Sequence, residues 1–272
     1  MIILNWLRHP LAKSITDIDG ENTYKVHRDI ILSKPFLLKI YHVFYQYLLA
    51  PFKNTTSKQT KIVEIGAGGF NANYFHPEVI TTDLHQTPFI KQIENAHSLS
   101  FKNDELDGII LVDVLHHIPH PEMFFKEALR CIKPGGKLVM IEPYYSFWGS
   151  LVYKNLHHEP WSDCESWDIP IGSSGRLSVA NMKMPYNIFI RDRAKFEKLY
   201  PELKIKKIDK INFFYYLLSG GLSYRNVIPS FLGRLIFIIE KILKPLSSFL
   251  AMHMVVEIEK NDPKQRLSLG IT

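Results

Sequence analysis

The chain has 272 residues, of which 46% are hydrophobic and 22% are charged, and its formal net charge is +6. This composition is ordinary for a globular enzyme and excludes disorder over most of the chain. The basic excess is mild and dispersed, and no zinc-finger, helix-turn-helix or RRM signature accompanies it, so we expect no nucleic-acid partner.

The two cysteines, Cys131 and Cys164, are too far apart in sequence for a metal-binding pair motif, and they indicate a reducing compartment without a disulfide framework. The apolar opening segment does not read as a signal peptide, because its basic residues follow the apolar stretch. The sequence contains no run of about 18 uncharged apolar residues, so we expect a cytoplasmic protein without a transmembrane helix.

The first 58 residues are predicted to form an N-terminal helical arm or cap. Residues 1–30 are polar around 15–23 and indicate a loop or an irregular arm. Apolar residues then recur three and four apart, which predicts a helix over 33–50 with Ser33 as the N-cap and Pro35 in the first turn. This helix would pack on a sheet or cover a site.

A run of apolar residues with one acid, 61–65, leads into the glycine-rich segment 66–69. The pattern predicts a buried parallel strand and a tight turn, as in nucleotide-type cofactor sites of open α/β sheets. The next strand ends at Asp83, about 20 residues beyond Glu64, which suits a carboxylate that accepts hydrogen bonds from ribose hydroxyls. A solvated strand-end aspartate is the alternative.

Strands and helices continue to alternate, which predicts an α/β fold with a doubly wound, mostly parallel sheet. The predicted elements are a weak strand within 89–108, a clear strand at 108–114, a helix at 121–132, a stop at 133–136, and strands at 137–143, 204–211 and 251–260.

Residues 60–145 resemble the class I S-adenosylmethionine-dependent methyltransferases, most closely the methyltransferase type 11 branch. The resemblance rests on five ordered segments, which are VEIGAGG (63–69), TTDL (81–84), ENAHSLSF (94–101), the LHHIP and KPGG motifs within 105–136, and KLVMIEP (137–143). The family implies a Rossmann-like sheet with an antiparallel last strand and S-adenosylmethionine as cofactor. The methyltransferase domain would cover 59–272, with helical insertions at about 144–190 and 212–250.

The family's cofactor-binding positions can be carried onto this sequence in four groups. They imply Glu64, Gly66, Ala67 and Gly68 at the methionine end, Asp83 and Leu84 at the ribose, Asn95 and Ala96 at the adenine, and Asp113 and Val114 beneath the sulfonium. Three positions depart from the family pattern: Phe70 replaces a glycine, Asn95 a usual acid, and Ser100 a usual proline. These departures leave open a weak or inactive cofactor site.

Acceptor groups should come from outside the sheet core. The insertion at 144–190 follows the fifth strand and carries His157, His158 and Glu159, which could bind the acceptor, act as a base, or simply pack in a polar loop. Adjacent histidines on a helix point about 100° apart and lack the i, i+4 spacing of a zinc helix, so we expect no metal site. His117, near the end of the fourth strand, is a further base candidate.

The aromatic and aliphatic insertion at 212–250 predicts either a pair of buried helices capping the sheet, or a lipophilic-acceptor pocket or membrane-surface lid. The sequence therefore indicates a methyltransferase acting on a small-molecule, glycan or lipid-linked acceptor, with possible peripheral membrane contact. Two alternatives remain: an inactive methyltransferase-fold binding protein, and a dinucleotide-dependent oxidoreductase. The latter is disfavoured because Asn71 stands at the third glycine of its GxGxxG motif.

Overall fold

The computed structural model describes residues 6–20, 22–53, 60–157, 159–163, 165–169, 175 and 177–262. Seven strands form one sheet: β1 (Ile62–Glu64), β2 (Ile80–Asp83), β3 (Gln92–Ile93), β4 (Leu106–Val112), β5 (Ile132–Pro143), β6 (Leu203–Ile211) and β7 (His253–Lys260). The α-helices are α1 (Pro10–Lys13), α2 (Thr23–Ser33), α3 (Pro35–Leu49), α4 (Pro121–Cys131), α5 (Phe147–Leu156), α6 (Met184–Tyr186), α7 (Arg193–Leu199), α8 (Tyr215–Ser219), α9 (Gly233–Ile242) and α10 (Ser247–Leu250).

The strand order across the sheet is β3-β2-β1-β4-β5-β7-β6. Strands β1 to β5 pair in parallel, whereas β7 is antiparallel to both of its neighbours. The predicted mostly parallel sheet with an antiparallel last strand is confirmed. Parallel strands present their carboxyl ends at one edge of the sheet, so the loops after β1, β2, β4 and β5 meet there.

The two faces of the sheet build two separate core layers, because successive side chains of a strand point to opposite faces. Ile109 of β4 lies in a layer that contains Phe124 of α4. Its neighbour Ile110 lies in the other layer, which contains Phe44 of α3. All four side chains are fully buried, so the continuous apolar runs of the central strands reflect burial on both faces.

The expectation of a loop or irregular arm over residues 1–30 is wrong for the described part of that range, which contains α1 and most of α2. Helix α2 buries Ile30 and Ile31 in the same core layer as α3. The predicted helix over 33–50 is confirmed in substance as α3, but Ser33 is the last residue of α2 and Lys34 is the N-cap of α3. The Lys34 ammonium is buried and donates to the Gly221 and Tyr224 carbonyls.

Strand β5 starts at Ile132, five residues earlier than predicted. The KPGG segment therefore does not end the element but lies within the strand, where Gly135 has a φ of +80°. A left-handed residue at this point lets the chain turn from α4 directly into the sheet. Among the described residues, none of the helices is both long and apolar enough to cross a membrane.

Candidate active site at the carboxyl edge of the sheet

The glycine turn after β1 lies between β2 and β4. Gly66 and Gly68 have φ values of +66° and +55°, which L side chains rarely adopt. A Cβ on Gly66 would lie 2.6 Å from a methyl of Val114, so Val114 closes one side of the turn. A Cβ on Gly68 would meet nothing closer than 3.8 Å, which leaves bare backbone for a ligand to approach. Ala67 donates its N–H to the Thr82 carbonyl at 2.8 Å and ties the turn to β2.

Asp83, at the end of β2, joins the turn to the next strand. Its Oδ2 accepts from the Gly68 N–H at 3.0 Å, and its Oδ1 accepts from the His85 N–H at 3.1 Å. A carboxylate has about four acceptor positions, so both oxygens retain capacity for ribose hydroxyls. Leu84 follows it with 55% of its surface exposed. Asp83 therefore lies beside the glycine turn, and its contact with a ribose stays a prediction.

The Glu64 side chain points into the core, whereas the family resemblance implies a contact with the methionine end of the cofactor. Its carboxylate is buried, Oε1 accepts from the Tyr45 hydroxyl at 2.7 Å, and Oε2 accepts from the Ala72 N–H at 2.8 Å. Burial raises the pKa of Glu64 to about 8, although both hydrogen bonds act in the opposite direction. In this arrangement Glu64 fastens the glycine turn to α3.

Helix α2 lies directly over the turn. A Cβ on Gly69 would lie 1.9 Å from the Tyr24 carbonyl oxygen, so only glycine permits this approach. Arg28 donates to the Gly69 carbonyl at 3.1 Å. Phe70, which replaces a family glycine, packs its ring 5.3 Å from Tyr41 of α3. The departure at this position therefore serves to anchor the N-terminal helices on the turn.

The predicted adenine end lies after β3. The Asn95 Oδ1 accepts from the His97 N–H at 2.9 Å, and Ala96 packs against the main core. Ser100 donates its N–H to Glu94 at 2.8 Å and its hydroxyl to the same carboxylate. Proline has no N–H to donate, so the replacement of the usual proline by Ser100 is explained by Glu94.

Asp113, which follows β4 and precedes Val114, has a strained backbone with a φ of +52°. Its Oδ1 is buried and has no hydrogen-bond partner among the described residues, and the nearest cation-forming group is the His253 Nε2 at 3.5 Å. The Asn212 amide donates to the His253 Nδ1 at 2.7 Å, so Nε2 carries the hydrogen and faces Asp113. An under-partnered acceptor beside bare glycine backbone fits a cationic sulfonium group.

Just after Asp113 and Val114, the side chains of His116 and His117 converge with that of Glu159. The His116 Nε2 lies 3.4 Å from the Glu159 Oε2, and the His117 Nε2 lies 3.8 Å from the Glu159 Oε1. Glu142, at the end of β5, lies behind them with its Oε2 2.7 Å from the His116 Nδ1. Its Oε1 accepts from the N–H groups of residues 114 and 115 at 2.9 and 2.7 Å.

The charges in this cluster are strongly coupled. Burial opposes the charged form of His116, but the carboxylates of Glu142 and Glu159 outweigh it and raise the pKa of His116 to about 10. Burial and the neighbouring His116 lower the pKa of His117 to about 4. Burial disfavours the Glu159 carboxylate, but the histidines around it hold its pKa well below the usual range.

The cluster includes two of the four predicted catalytic candidates, His117 and Glu159. His157 lies at its margin, with its Nδ1 3.9 Å from the Glu159 Oε2, and His158 lies outside the described residues, as does Cys164. Sequence reasoning did not assign His116, Glu142, Asn212 or His253 to the site. The LHHIP motif and the acid that ends β5 were the only signals for the first two.

The methyltransferase-domain family model matches residues 63–140, which contain the glycine turn, Asp83 and Asp113. A phthiotriol/phenolphthiotriol dimycocerosates methyltransferase of Mycobacterium leprae (strain TN) is 30% identical to this chain over 114 residues, or 36% of this chain. That match spans 42% of the relative's length.

The structure is also similar to geranyl diphosphate C-methyltransferase from Streptomyces coelicolor A3(2), which was solved with S-adenosyl-L-homocysteine. The TM-score is 0.50 at 12% identity, and the alignment covers 91% of this chain and 87% of that protein. At this identity the similarity concerns the fold. The family match, the strand order and the glycine turn agree, and residues 63–140 form a methyltransferase domain on a Rossmann-like sheet.

Proposed function

We propose that this protein transfers a methyl group from S-adenosylmethionine to a small-molecule or lipid-linked acceptor. The observation that carries the proposal is the turn itself, in which the Gly68 N–H donates to Asp83 and Gly66 packs against Val114. A structural relative was solved with the demethylated cofactor, S-adenosyl-L-homocysteine, which supports the same cofactor here.

S-adenosylmethionine supplies an electrophilic methyl group, and catalysis of its transfer is mostly positioning of donor and acceptor. Gly66, Ala67 and Gly68 would border the methionine end, which Gly68 lets approach closely because it has no side chain, and Asp83 would hold the ribose. Leu84, Asn95 and Ala96 would border the adenosine, whereas Asp113 and Val114 would lie beneath the sulfonium. The acceptor would bind on the side of His117, His157 and Glu159, where the insertion after β5 returns to the sheet edge.

Isothermal titration with S-adenosylmethionine tests the donor site. We expect saturable binding by the native protein and about 10–100-fold weaker binding by Asp83→Asn, because a charge-assisted hydrogen bond contributes about 1.5–3 kcal/mol. Asp107→Asn is the matched control, since Asp107 lies at the start of β4, where it accepts from the Lys61 N–H and from Lys133 at the opposite edge of the sheet, and its replacement should not affect affinity. The absence of binding heat at millimolar cofactor would indicate an inactive fold, and heat with a nicotinamide dinucleotide instead would indicate an oxidoreductase.

A lipid-linked acceptor is favoured by an apolar surface on the insertion at 212–250. We define the apolar surface as six residues, each more than half exposed: Phe231, Leu235, Ile238, Ile242, Leu246 and Phe249. Helix α9 is buried on its inner face, at Gly233 and Glu240, whereas its outer face carries these exposed residues. Exposed apolar residues that are contiguous typically mark a protein or membrane contact.

The orientation of α9 is set by a buried carboxylate. Glu240 accepts from the backbone N–H groups of residues 213, 214 and 215 at 3.0, 2.6 and 2.8 Å, which fixes one face of the helix inward. Glu240 is the sole acid in residues 227–250, whereas Arg234 and Lys241 are exposed beside the apolar surface. An apolar face with cations at its margin and no exposed acid matches an anionic membrane surface.

The apolar surface also leads toward the acceptor side. The Phe249 ring stacks on Phe147 of α5 with centroids 4.8 Å apart, and Leu151, one turn further along α5, is 42% exposed. Helix α5 ends at Leu156, shortly before Glu159, so the helix that carries Phe147 and Leu151 leads from the apolar surface toward the cluster. The relative that is 30% identical over 114 residues is named as a dimycocerosates methyltransferase, which is consistent with a lipophilic acceptor.

Vesicle co-sedimentation tests the membrane contact. We expect binding to phosphatidylglycerol-containing vesicles, weakening as salt is raised, and at least about tenfold weaker partitioning for the double variant Ile238→Asp/Ile242→Asp. The control is Met123→Asp/Leu199→Asp, which alters two exposed apolar residues on α4 and α7 in the opposite layer. Equal binding by both double variants, or no binding to anionic vesicles, would contradict the membrane contact without affecting the cofactor proposal.

A further inference from the structure

The cluster of His116, His117 and Glu159 has the arrangement of a metal site. Each residue offers one ligand atom, and the three atoms lie within 4.8 Å of one another. No other such group of histidine, cysteine or carboxylate residues occurs in the part of the chain that the structure describes. His116 and His117 lie in a 3-10 turn, so the i, i+4 spacing of a zinc helix is not required of them, and Glu159 reaches them from a segment remote in sequence.

In both histidines the Nδ1 atom carries the hydrogen, which leaves the Nε2 atom free to bind a metal. The His117 Nδ1 lies 2.8 Å from the Val179 carbonyl, which can only accept, so Nδ1 carries the hydrogen. The His116 Nδ1 likewise faces Glu142, which accepts the N–H groups of residues 114 and 115 on its other oxygen. Both Nε2 atoms are therefore directed at Glu159, and a carboxylate or carbonyl behind a histidine is the usual second layer of a metal centre.

The spacing and the donor types narrow the choice of cation. Ligand atoms about 2.1 Å from a tetrahedral ion lie about 3.4 Å apart. The His116 Nε2 lies 3.4 Å from the Glu159 Oε2 and the His117 Nε2 lies 3.8 Å from the Glu159 Oε1, and one ligand atom from each residue fits within 4.8 Å, so a small contraction would bring the three around one ion. Two imidazoles and one carboxylate suit zinc and related transition metals, whereas magnesium and calcium prefer oxygen ligands.

We propose that His116, His117 and Glu159 bind a divalent transition-metal cation such as Zn²⁺. Three protein ligands leave a fourth coordination position for water or for an oxygen of the acceptor, as in zinc sites with an open position. The cation would also fasten the segment after α5 to the end of β4, because Glu159 is the only one of its three ligands that lies outside the 115–117 turn.

Metal binding can be measured without any methyl-transfer assay. The full chain, stripped with chelator, is titrated with Zn²⁺ by calorimetry and with Co²⁺ by visible absorption, and zinc content is determined after dialysis. We expect one equivalent per chain, at least about tenfold weaker binding by His117→Ala and Glu159→Gln, and a similar loss for Glu142→Gln, which alters the second layer. His120→Ala is the matched control, since His120 is partly exposed and faces Asp168 and the His97 ring instead of the cluster.

The alternative occupant of this cluster is a proton, with His116 as a buried cation between two carboxylates. In that case the native chain shows no saturable zinc binding and no ligand-field absorption with Co²⁺, and the proposal is overturned. Binding that persists unchanged in both Glu159→Gln and His117→Ala also overturns it. A thermal melt guards against misfolding: zinc should raise the Tm of the native protein and of His120→Ala, but not that of Glu159→Gln. Cofactor titration of the same metal-free samples separates this result from the donor-site proposal.

Discussion

Replacing Gly66 with alanine should abolish measurable cofactor binding and destabilise the fold. The residue has a φ of +66°, which costs an alanine about 1–2 kcal/mol. Its new Cβ would also lie 2.6 and 2.7 Å from the two methyl groups of Val114, which adds about 1–3 kcal/mol of overpacking. We expect the free energy of unfolding to fall by about 2–5 kcal/mol and the affinity for S-adenosylmethionine to fall at least about 100-fold.

Two variants separate the components of this effect. Gly135→Ala imposes the same kind of backbone strain, at a φ of +80°, but its Cβ would meet nothing within 4 Å and it lies away from the site. Gly135→Ala should lower the free energy of unfolding by only about 1–2 kcal/mol and bind the cofactor normally. The double variant Gly66→Ala/Val114→Ala relieves the collision and should recover part of the stability. Normal cofactor binding by Gly66→Ala would show that the donor site lies elsewhere.

Replacing Glu142 with alanine should destabilise the protein by about 3–5 kcal/mol in denaturant unfolding. The carboxylate is fully buried and accepts two backbone N–H groups and one histidine N–H. Its removal leaves these donors without a partner, and leaves His116 as a buried group facing only Glu159. Each buried unsatisfied group costs about 1–3 kcal/mol, and breaking one side of a buried ion pair is costly by itself.

Glu142→Gln should lower the free energy of unfolding much less, because an amide oxygen can still accept from the two backbone N–H groups. Glu257→Ala is the matched control on the neighbouring strand β7, where the carboxylate pairs with Lys137 at 2.6 Å and is partly exposed. A surface pair of that kind contributes about 0–1 kcal/mol. Equal stability of Glu142→Ala and Glu257→Ala would show that the Glu142 carboxylate does not accept from the N–H groups of residues 114 and 115 and from the His116 ring.

The elements of the central domain were predictable because their signals are local. Apolar runs such as 109–112 predict strands by burial on both faces, and glycines at 66 and 68 predict a turn with positive φ. Asp83 was predictable in the same way, since a strand end at a set distance beyond the turn follows from the βαβ path. The errors of the element prediction lie where local signals conflict, as at Ser33 and Lys34 between two consecutive helices.

The sequence by itself determined the sheet, the glycine turn and the position of the Asp83 carboxylate beside that turn, all of which depend on residues close together in the chain. Only the tertiary structure decided which side chains meet from distant segments. It turned Glu64 inward to Tyr45, brought Glu159 to His116 and His117, and left the outer face of α9 exposed. Such contacts depend on how loops close and on which face of an element is buried, and neither is encoded in local periodicity.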